Sequence, residues 1–188
     1  MIEELKKTLS PKRFEHSMGV KETAISLARY YGADEKKAEI AAVLHDCAKG
    51  MSIEEQLKKC RELKLVLDEE TLACPPVIHA PLGACIARCE YGIDDEEILN
   101  AICYHTVGRV GMSDLEKIIY VADMIEPTRD YDGVEELRKN AYNDLDTIML
   151  EALNQCIIHN VKKGSLIHTD TIKCRNDIIE RMKEKNGR

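Results

Sequence analysis

The sequence lacks the features of a membrane, secreted or nucleic-acid-binding protein. None of its 188 residues belongs to an apolar run of about 18, the length that a membrane-spanning helix needs. The first residues lack the apolar segment of a signal peptide, so we expect a cytoplasmic protein. The formal net charge of −7 argues against broad nucleic-acid binding, because such proteins normally carry a basic excess. We therefore expect neither a membrane nor a nucleic acid as partner.

Paired cysteines are also missing. The chain has eight cysteines, but no two of them form a Cys-x-x-Cys pair, the spacing of zinc knuckles and dithiol redox sites. In a reducing compartment they should stay reduced and act as small core or boundary residues. We assign the cysteines no function.

What is present indicates one folded, helical domain. Apolar residues make up 44% and charged residues 32% of the chain, a globular balance. A length of 188 residues fits a single domain over residues 1–188. Runs that alternate β-branched and polar residues are absent, and the apolar periodicity is helical nearly everywhere, so the sequence predicts an all-α fold.

Capping residues predict where the helices begin and end. Ser10-Pro11 is a typical helix start and Gly32 a typical stop, which predicts a long helix over about 11–31. Ser52 and Glu55 have the spacing of a capping box, and Pro75-Pro76 should break helical structure. The other predicted helices run over about 34–45, 80–91, 94–105, 113–125, 134–142, 145–163 and 170–185.

Histidine and aspartate side chains fall on the apolar faces of these helices. Residues three, four and seven apart share a helical face, and by that spacing five groups point towards the core: His16, His45, His79, His105 and Asp123. Any one histidine alone could be an ordinary hydrogen-bonded core residue. A buried carboxylate such as Asp123, or Asp46 beside His45, needs a partner, a proton or a metal. Together these ligands suit iron, manganese or zinc, and the lack of thiolates weighs against a structural zinc site.

Their order along the chain resembles a known family. His16, His45-Asp46 and Asp123 resemble the H…HD…D pattern of the HD-domain superfamily of metal-dependent phosphohydrolases, and His79 and His105 resemble its dinuclear branch. The resemblance extends to the symmetrical bis(5′-nucleosyl)-tetraphosphatases of that superfamily through His16-Ser-Met-Gly-Val20, His45-Asp-Cys-Ala-Lys49, His79-Ala-Pro-Leu-Gly83, His105-Thr-Val-Gly-Arg109, the run 115–129 and the run 166–176. In the last run Thr169 departs from the family pattern.

The resemblance implies a fold and an activity. The fold would be a single-domain helical bundle of the HD type with a dinuclear metal site in its core. The metal-binding core would span about 11–130, and helices over about 134–186 would complete the bundle and the nucleotide pocket. The implied reaction is hydrolysis of diadenosine tetraphosphate to two ADP by a metal-bound hydroxide. The implied cofactors are two transition metal ions, with iron favoured and manganese or zinc as alternatives. A homodimer is compatible with the resemblance.

The resemblance also implies residue roles. One metal would be held by His16, His45, Asp46 and Asp123, and the other by His79, His105 and the shared Asp46. The predicted catalytic residues are Asp46, Lys49 and Arg129, and the predicted substrate contacts are Lys49, Gly83, Thr106, Arg109, Arg129, His168 and Thr171. Glu126 would orient a ligating histidine. With no Trp and one Phe in the chain, a base would stack on a Tyr, His or Arg plane, and Tyr104 and Tyr131 remain alternatives.

Other functions remain open from the sequence alone. A different HD phosphohydrolase, either a nucleotide phosphatase or a cyclic dinucleotide phosphodiesterase, would use the same ligands. A non-catalytic nucleotide sensor could also keep them. His159 lies outside the matching motifs and is expected to be an ordinary surface or boundary histidine.

Overall fold

The computed structural model describes residues 1–187, and every regular element in that range is helical. The all-α prediction is confirmed. The α-helices are α1 Ile2–Thr8, α2 Pro11–Tyr31, α3 Glu35–Leu44, α4 Ile53–Glu62, α5 Glu69–Ala73, α6 His79–Tyr91, α7 Glu96–Tyr104, α8 Asp114–Ile125, α9 Val134–Asn140, α10 Leu145–Lys163 and α11 Thr169–Asn186.

Capping explains why the main helices begin and end where the sequence predicts. The Ser10 hydroxyl accepts a hydrogen bond from the Arg13 N–H at the start of α2, and Gly32 ends that helix in the left-handed conformation at φ 72°. The predicted capping box of Ser52 and Glu55 is present at the start of α4. These local signals set the helix bounds within a few residues.

Three local features differ from the prediction. Helices α1 and α5 are additional, and the sequence Pro75-Pro76 lies in a short 3₁₀ helix, Pro75–Val77, instead of simply breaking helical structure. Proline tolerates the first positions of a helix, because its fixed φ is already helical and its missing N–H is not needed there. This turn leads directly into α6, which therefore begins at His79 itself.

The core is built around α8. Most residues of this helix are buried, and α2, α7 and α10 all pack against it. A helix that is apolar on nearly all sides belongs in the interior. Small residues on the neighbouring helices, including Ala24 of α2 and Ala41 of α3, are fully buried and allow close helix packing. Consequently the C-terminal end of α8, which carries Asp123, lies inside the bundle.

The C-terminal helices complete the bundle. Helix α10 packs against α8 and α11, and the buried carboxylate of Asp146 on α10 accepts a hydrogen bond from Lys117 Nζ on α8 at 2.7 Å. Among residues 1–187, no helix combines the length and the apolar character required to cross a bilayer.

Candidate metal centre

His45 and His105 each follow the last residue of a helix, and both rings are oriented by that helix end. The Nδ1–H of His45 donates to the Ala42 carbonyl at 2.6 Å, and the Nδ1–H of His105 donates to the Ile102 carbonyl at 2.7 Å. A carbonyl oxygen can only accept, so each Nδ1 carries the proton. Each Nε2 therefore presents its lone pair to the interior.

His79 and His16 have the same tautomer for the same reason. The Nδ1–H of His79 donates to the Pro76 carbonyl at 2.8 Å, which is positioned by the 3₁₀ turn before α6. The Nδ1–H of His16 donates to Oε1 of Glu126 at 2.9 Å. Such partners orient a ligating imidazole and raise its basicity.

The four Nε2 atoms face one another in two pairs. His16 Nε2 lies 3.3 Å from His45 Nε2, and His79 Nε2 lies 3.2 Å from His105 Nε2. Two lone pairs at that distance repel each other unless a proton or a cation lies between them. This arrangement of buried acceptor nitrogens therefore fits bound cations.

Asp46 lies between the two pairs. Its Oδ1 is 3.1 Å from His79 Nε2 and 3.7 Å from His105 Nε2. Its Oδ2 is 3.8 Å from the Nε2 of both His16 and His45. One oxygen of a single carboxylate thus faces each histidine pair, which is the geometry of a bridging ligand.

Asp123 completes the group around His16 and His45. Its Oδ1 lies 3.0 Å from His16 Nε2 and 3.8 Å from His45 Nε2. Arg129 holds this aspartate from the other side: its Nε donates to the Asp123 carbonyl at 2.7 Å and its Nη2 donates to Oδ1. The guanidinium therefore fixes the position of the carboxylate and places a positive charge beside it.

The protonation states favour cation binding. Burial lowers the pKa of His45 and lowers the pKa of His79 to about 4, so both rings are neutral at pH 7. Burial alone would raise the pKa of Asp46, but the surrounding imidazoles outweigh it and hold the pKa well below its usual value. Burial alone would lower the pKa of His16, but the charge of Asp123 and the hydrogen bonds with Asp123 and Glu126 outweigh it and raise the pKa, so this ring, unlike the other two, must release a proton to bind a metal. Ionised carboxylates and neutral imidazoles are the forms that bind metals.

The donor atoms lie close enough to bind ions. Those of His16, His45 and Asp123 lie within 4.8 Å of one another, and so do those of His45, Asp46 and His105. Nitrogen and oxygen donors of this kind suit divalent transition metals. The site opens into a cleft of about 710 Å³ that also contains cationic side chains, among them Arg13, Lys49 and Arg129.

Comparison with known proteins identifies this arrangement. The family model described as HD domain matches residues 13–128, the segment that contains all six candidate ligands. The chain belongs to the HD-domain family. For an HD domain with these buried histidines and aspartates, divalent metal ions are the expected cofactors.

Relatives of this HD domain match over nearly the whole chain. Two proteins described as "Bis(5′-nucleosyl)-tetraphosphatase, symmetrical" are each 43% identical to it: that of Halalkalibacterium halodurans covers 93% of both chains, and that of Bacillus subtilis covers 93% of this chain and 94% of its own. A crystal structure from Clostridium acetobutylicum, described as a predicted HD superfamily hydrolase involved in NAD metabolism, has 43% identity and a TM-score of 0.92. It covers 96% of this chain and 95% of its own.

The structure brings several predicted residues of this HD domain to the cleft. All six predicted metal ligands lie together, as described above. Lys49 lines the cleft with its Nζ 3.0 Å from His79 Nδ1, and Arg129 and Thr106 line it as well. The Oγ1 of Thr106 is buried and has no hydrogen-bond partner among the described residues, so its hydrogen-bonding capacity is unused.

Two predicted substrate contacts, Arg109 and Gly83, are not among the described residues that line the cleft. Arg109 forms a bidentate ion pair with the buried Glu116: its Nε donates to Oε1 at 2.6 Å and its Nη2 donates to Oε2 at 3.0 Å. Arg109 is therefore directed to Glu116 and is absent from the described residues that line the cleft. Gly83 packs in the core, where a Cβ would lie 3.4 Å from the His45 carbonyl. A methyl group there would make ordinary van der Waals contact with its neighbours, so nothing in this packing requires a glycine.

His168 and Thr171 border a neighbouring groove of about 380 Å³, which meets the metal cleft at Thr106. His168 also has a structural role: it caps α11 through Asp170 N–H, and its Nε2 lies 3.3 Å from Thr71 Oγ1 on α5. These two residues are therefore near the cleft but outside it.

Two residues of the site were missed by sequence reasoning. Arg13 lies in the cleft with Nη1 3.4 Å from Asp46 Oδ2. It precedes His16 by three positions in α2 and so shares its helical face, a signal that was available in the sequence. Gly19 lies where a Cβ would be 2.5 Å from Glu126 Oε2, and nothing in the sequence indicates that contact.

Proposed function

We propose that this chain hydrolyses diadenosine tetraphosphate symmetrically, to two molecules of ADP. One water is consumed, the bridging P–O bond between the second and third phosphates breaks, and each half leaves as a nucleoside diphosphate. The observation that carries the proposal is the identity of 43% over 93% of the chain to symmetrical bis(5′-nucleosyl)-tetraphosphatases. The buried histidine and aspartate cluster supplies the metal ligands that such a hydrolase needs.

Two metal sites are supported by the two histidine pairs. His16, His45, Asp123 and Oδ2 of Asp46 would hold one ion, and His79, His105 and Oδ1 of Asp46 would hold the other. When bound, divalent cations acidify water and neutralise phosphoryl oxygens. We propose iron as the metal, with manganese and zinc also compatible with nitrogen and oxygen donors.

Cationic side chains on both sides of the ligand cluster would bind the polyphosphate. Arg13 and Arg129 lie on the side of His16, and Lys49 lies on the side of His79. Hydrogen bonds to Asp123 already fix the Arg129 side chain, so its remaining N–H groups would bind a phosphate with little further loss of conformational entropy. Positive charge on both sides suits a tetraphosphate whose central bond is the one cleaved.

Thr106 and Glu126 have supporting roles. The buried Oγ1 of Thr106 would donate to a phosphoryl oxygen beside His105. Glu126, whose side chain is fully buried, keeps His16 in the tautomer that presents Nε2 to the cleft. These residues position ligand and substrate, and they exclude water from the interior of the site.

The test combines metal analysis with product analysis on one anaerobically purified sample. We expect a bound transition metal and conversion of diadenosine tetraphosphate to ADP alone. AMP together with ATP as products would overturn the symmetrical assignment. Asp46→Asn should abolish turnover, because the amide nitrogen cannot ligate the ion that it faces. Unchanged turnover in this variant would contradict the bridging role.

A further inference from the structure

A second groove adjoins the metal cleft, and no function has been assigned to it so far. It measures about 510 Å³ and shares Arg129 and Tyr131 with the cleft. Its other walls come from the end of α8 and from α10, including Met124, Gln155 and Ile158. We infer that this groove binds one purine nucleoside of the substrate. The inference rests on the proposed function, because a dinucleoside tetraphosphate cleaved at its centre needs a place for a nucleoside beyond the metal cleft at each end.

The first argument is the placement of Tyr131. Its ring lines both the cleft and the groove, and its hydroxyl donates to the Met124 carbonyl at 2.8 Å. That hydrogen bond fixes the ring, so little entropy is lost when a base stacks on it. The other candidate, Tyr104, has the Arg109 guanidinium 5.1 Å from its ring centroid, so that face is already covered. The structure thus favours Tyr131 over Tyr104 as the stacking residue.

The second argument is the chemistry of the groove walls. Met124 and Ile158 provide apolar surface, and Ile158 is 52% exposed, so its side chain is accessible to a ligand in the groove. Gln155 provides a carboxamide, which has both a donor and an acceptor for the edge of a base. Its Nε2 lies against the backbone of Gly133, where a Cβ would be only 2.0 Å away. Asp132, His159 and Lys162 also line the groove, so apolar surface lies beside polar groups that could bind the base or the ribose.

The third argument is the arrangement of the two grooves. One meets the cleft at Tyr131 and Arg129, and the other, bordered by His168 and Thr171, meets it at Thr106. A symmetrical reaction needs the central phosphates at the metals and a separate place for each nucleoside. The two grooves join the metal cleft at different residues and meet each other at Cys156, so they offer two neighbouring places.

The first experiment uses charge at matched positions of α10. Ile158→Glu places a carboxylate in the groove, whereas Val161→Glu places it at a position of the same helix that is 64% exposed and is not among the groove residues. Both positions are exposed, so both variants should fold. We expect Ile158→Glu to raise the KM for diadenosine tetraphosphate about fivefold or more and Val161→Glu to leave it within about twofold. Equal KM values for the two variants would overturn the inference.

The second experiment separates nucleoside binding from phosphate binding. Tyr131→Leu should raise the KM for diadenosine tetraphosphate about fivefold or more, since base stacking is lost, while the inhibition constant of inorganic tetraphosphate stays within about twofold. An equal rise in both constants would assign Tyr131 to the polyphosphate cleft, and no change in either would leave the ring without a role in binding; both outcomes contradict the inference. Failure of the wild-type protein to form ADP would instead contradict the proposed function, whatever the variants do.

Discussion

The Nδ1–H of His16, in α2, donates a hydrogen bond to Oε1 of Glu126, at the end of α8, with an N···O distance of 2.9 Å. The two residues are 110 positions apart in the sequence. Glu126 also accepts from the backbone N–H of Thr128 at 2.7 Å and from its hydroxyl at 2.5 Å. A fully buried carboxylate is stable here because three donors surround it. Through this contact the chain segment after α8 orients a ligand on α2.

Replacement of this carboxylate should weaken metal binding. Glu126→Gln keeps the shape but leaves one acceptor oxygen for three donors. We expect metal affinity or kcat/KM to fall about 10- to 100-fold, the usual effect of losing a partner behind a ligating histidine. Metal content after dialysis against graded chelator measures the first quantity. Glu135→Gln, at a side chain that is 82% exposed, is the control and should retain its metal.

A methyl group at position 19 should also weaken the support of His16, because it would press on the other oxygen of the Glu126 carboxylate. Alanine normally stabilises a helix relative to glycine by about 1 kcal/mol. Here, however, its Cβ would lie 2.5 Å from Oε2 of the buried Glu126, so the carboxylate would have to shift. We expect Gly19→Ala to lower kcat/KM about tenfold or more, by displacing the partner of His16. Glu15→Ala, at an exposed position of α2, controls for the added alanine; equal activity of both variants would contradict the argument.

Removal of the guanidinium at position 13 should impair substrate binding. Arg13 lies beside Asp46 at the cleft, where it would meet the tetraphosphate. A hydrogen bond between charged groups contributes about 1.5–3 kcal/mol, so Arg13→Ala should raise KM about tenfold or more. The loss should shrink at high salt, because ions screen a partly exposed charge. Lys58→Ala, at a side chain that is 72% exposed, should leave KM unchanged at every salt concentration.

The buried ion pair between α8 and α10 predicts a pH-dependent stability. Burial alone would raise the pKa of Asp146, but hydrogen bonds from Lys117 and Lys185 outweigh it and lower the pKa. The stabilisation is therefore fully present above the unfolded pKa of about 3.9 and is lost as the pH falls through the lower folded value. Asp146→Asn leaves Lys117 without its buried partner and should cost about 3 kcal/mol at pH 7.

Denaturant unfolding at several pH values checks this prediction. The difference in unfolding free energy between Asp146→Asn and the wild type should shrink below about pH 4, because protonation removes the same charge from the wild type. Asp114→Asn is the control: this carboxylate also contacts Lys117, but it is 65% exposed, so its removal should cost less than about 1 kcal/mol. A difference independent of pH would contradict the assignment.

The helices were predictable because their signals are local. Ser10 and Gly32 bound α2, and the capping box of Ser52 and Glu55 opens α4, each through contacts within a few residues. The short helices α1 and α5 escaped prediction, since neither is long enough to display a clear apolar period. Helical spacing also indicated that His16, His45, His79, His105 and Asp123 point inward.

Contacts between distant segments were harder to predict. The sequence pattern pointed to Arg109 for phosphate, but Glu116 holds that arginine and Arg13 lies at the cleft instead. It pointed to Gly83, whereas Gly19 is the glycine that makes room for a site residue. Charge and size can be read along the chain, but the partner of a side chain depends on which helix packs against it.

The sequence by itself therefore determined the all-α class, most helix bounds and the set of inward-facing histidines and aspartates. Caps and periodicity act over a few residues, and they do so in any context. The family resemblance implied that His16 groups with His45 and His79 with His105, but only the tertiary structure gave their distances and showed that each oxygen of Asp46 faces one pair. Those distances join residues tens of positions apart, so they follow only from how α2, α3 and α7 pack around α8 and how α6 packs against α7.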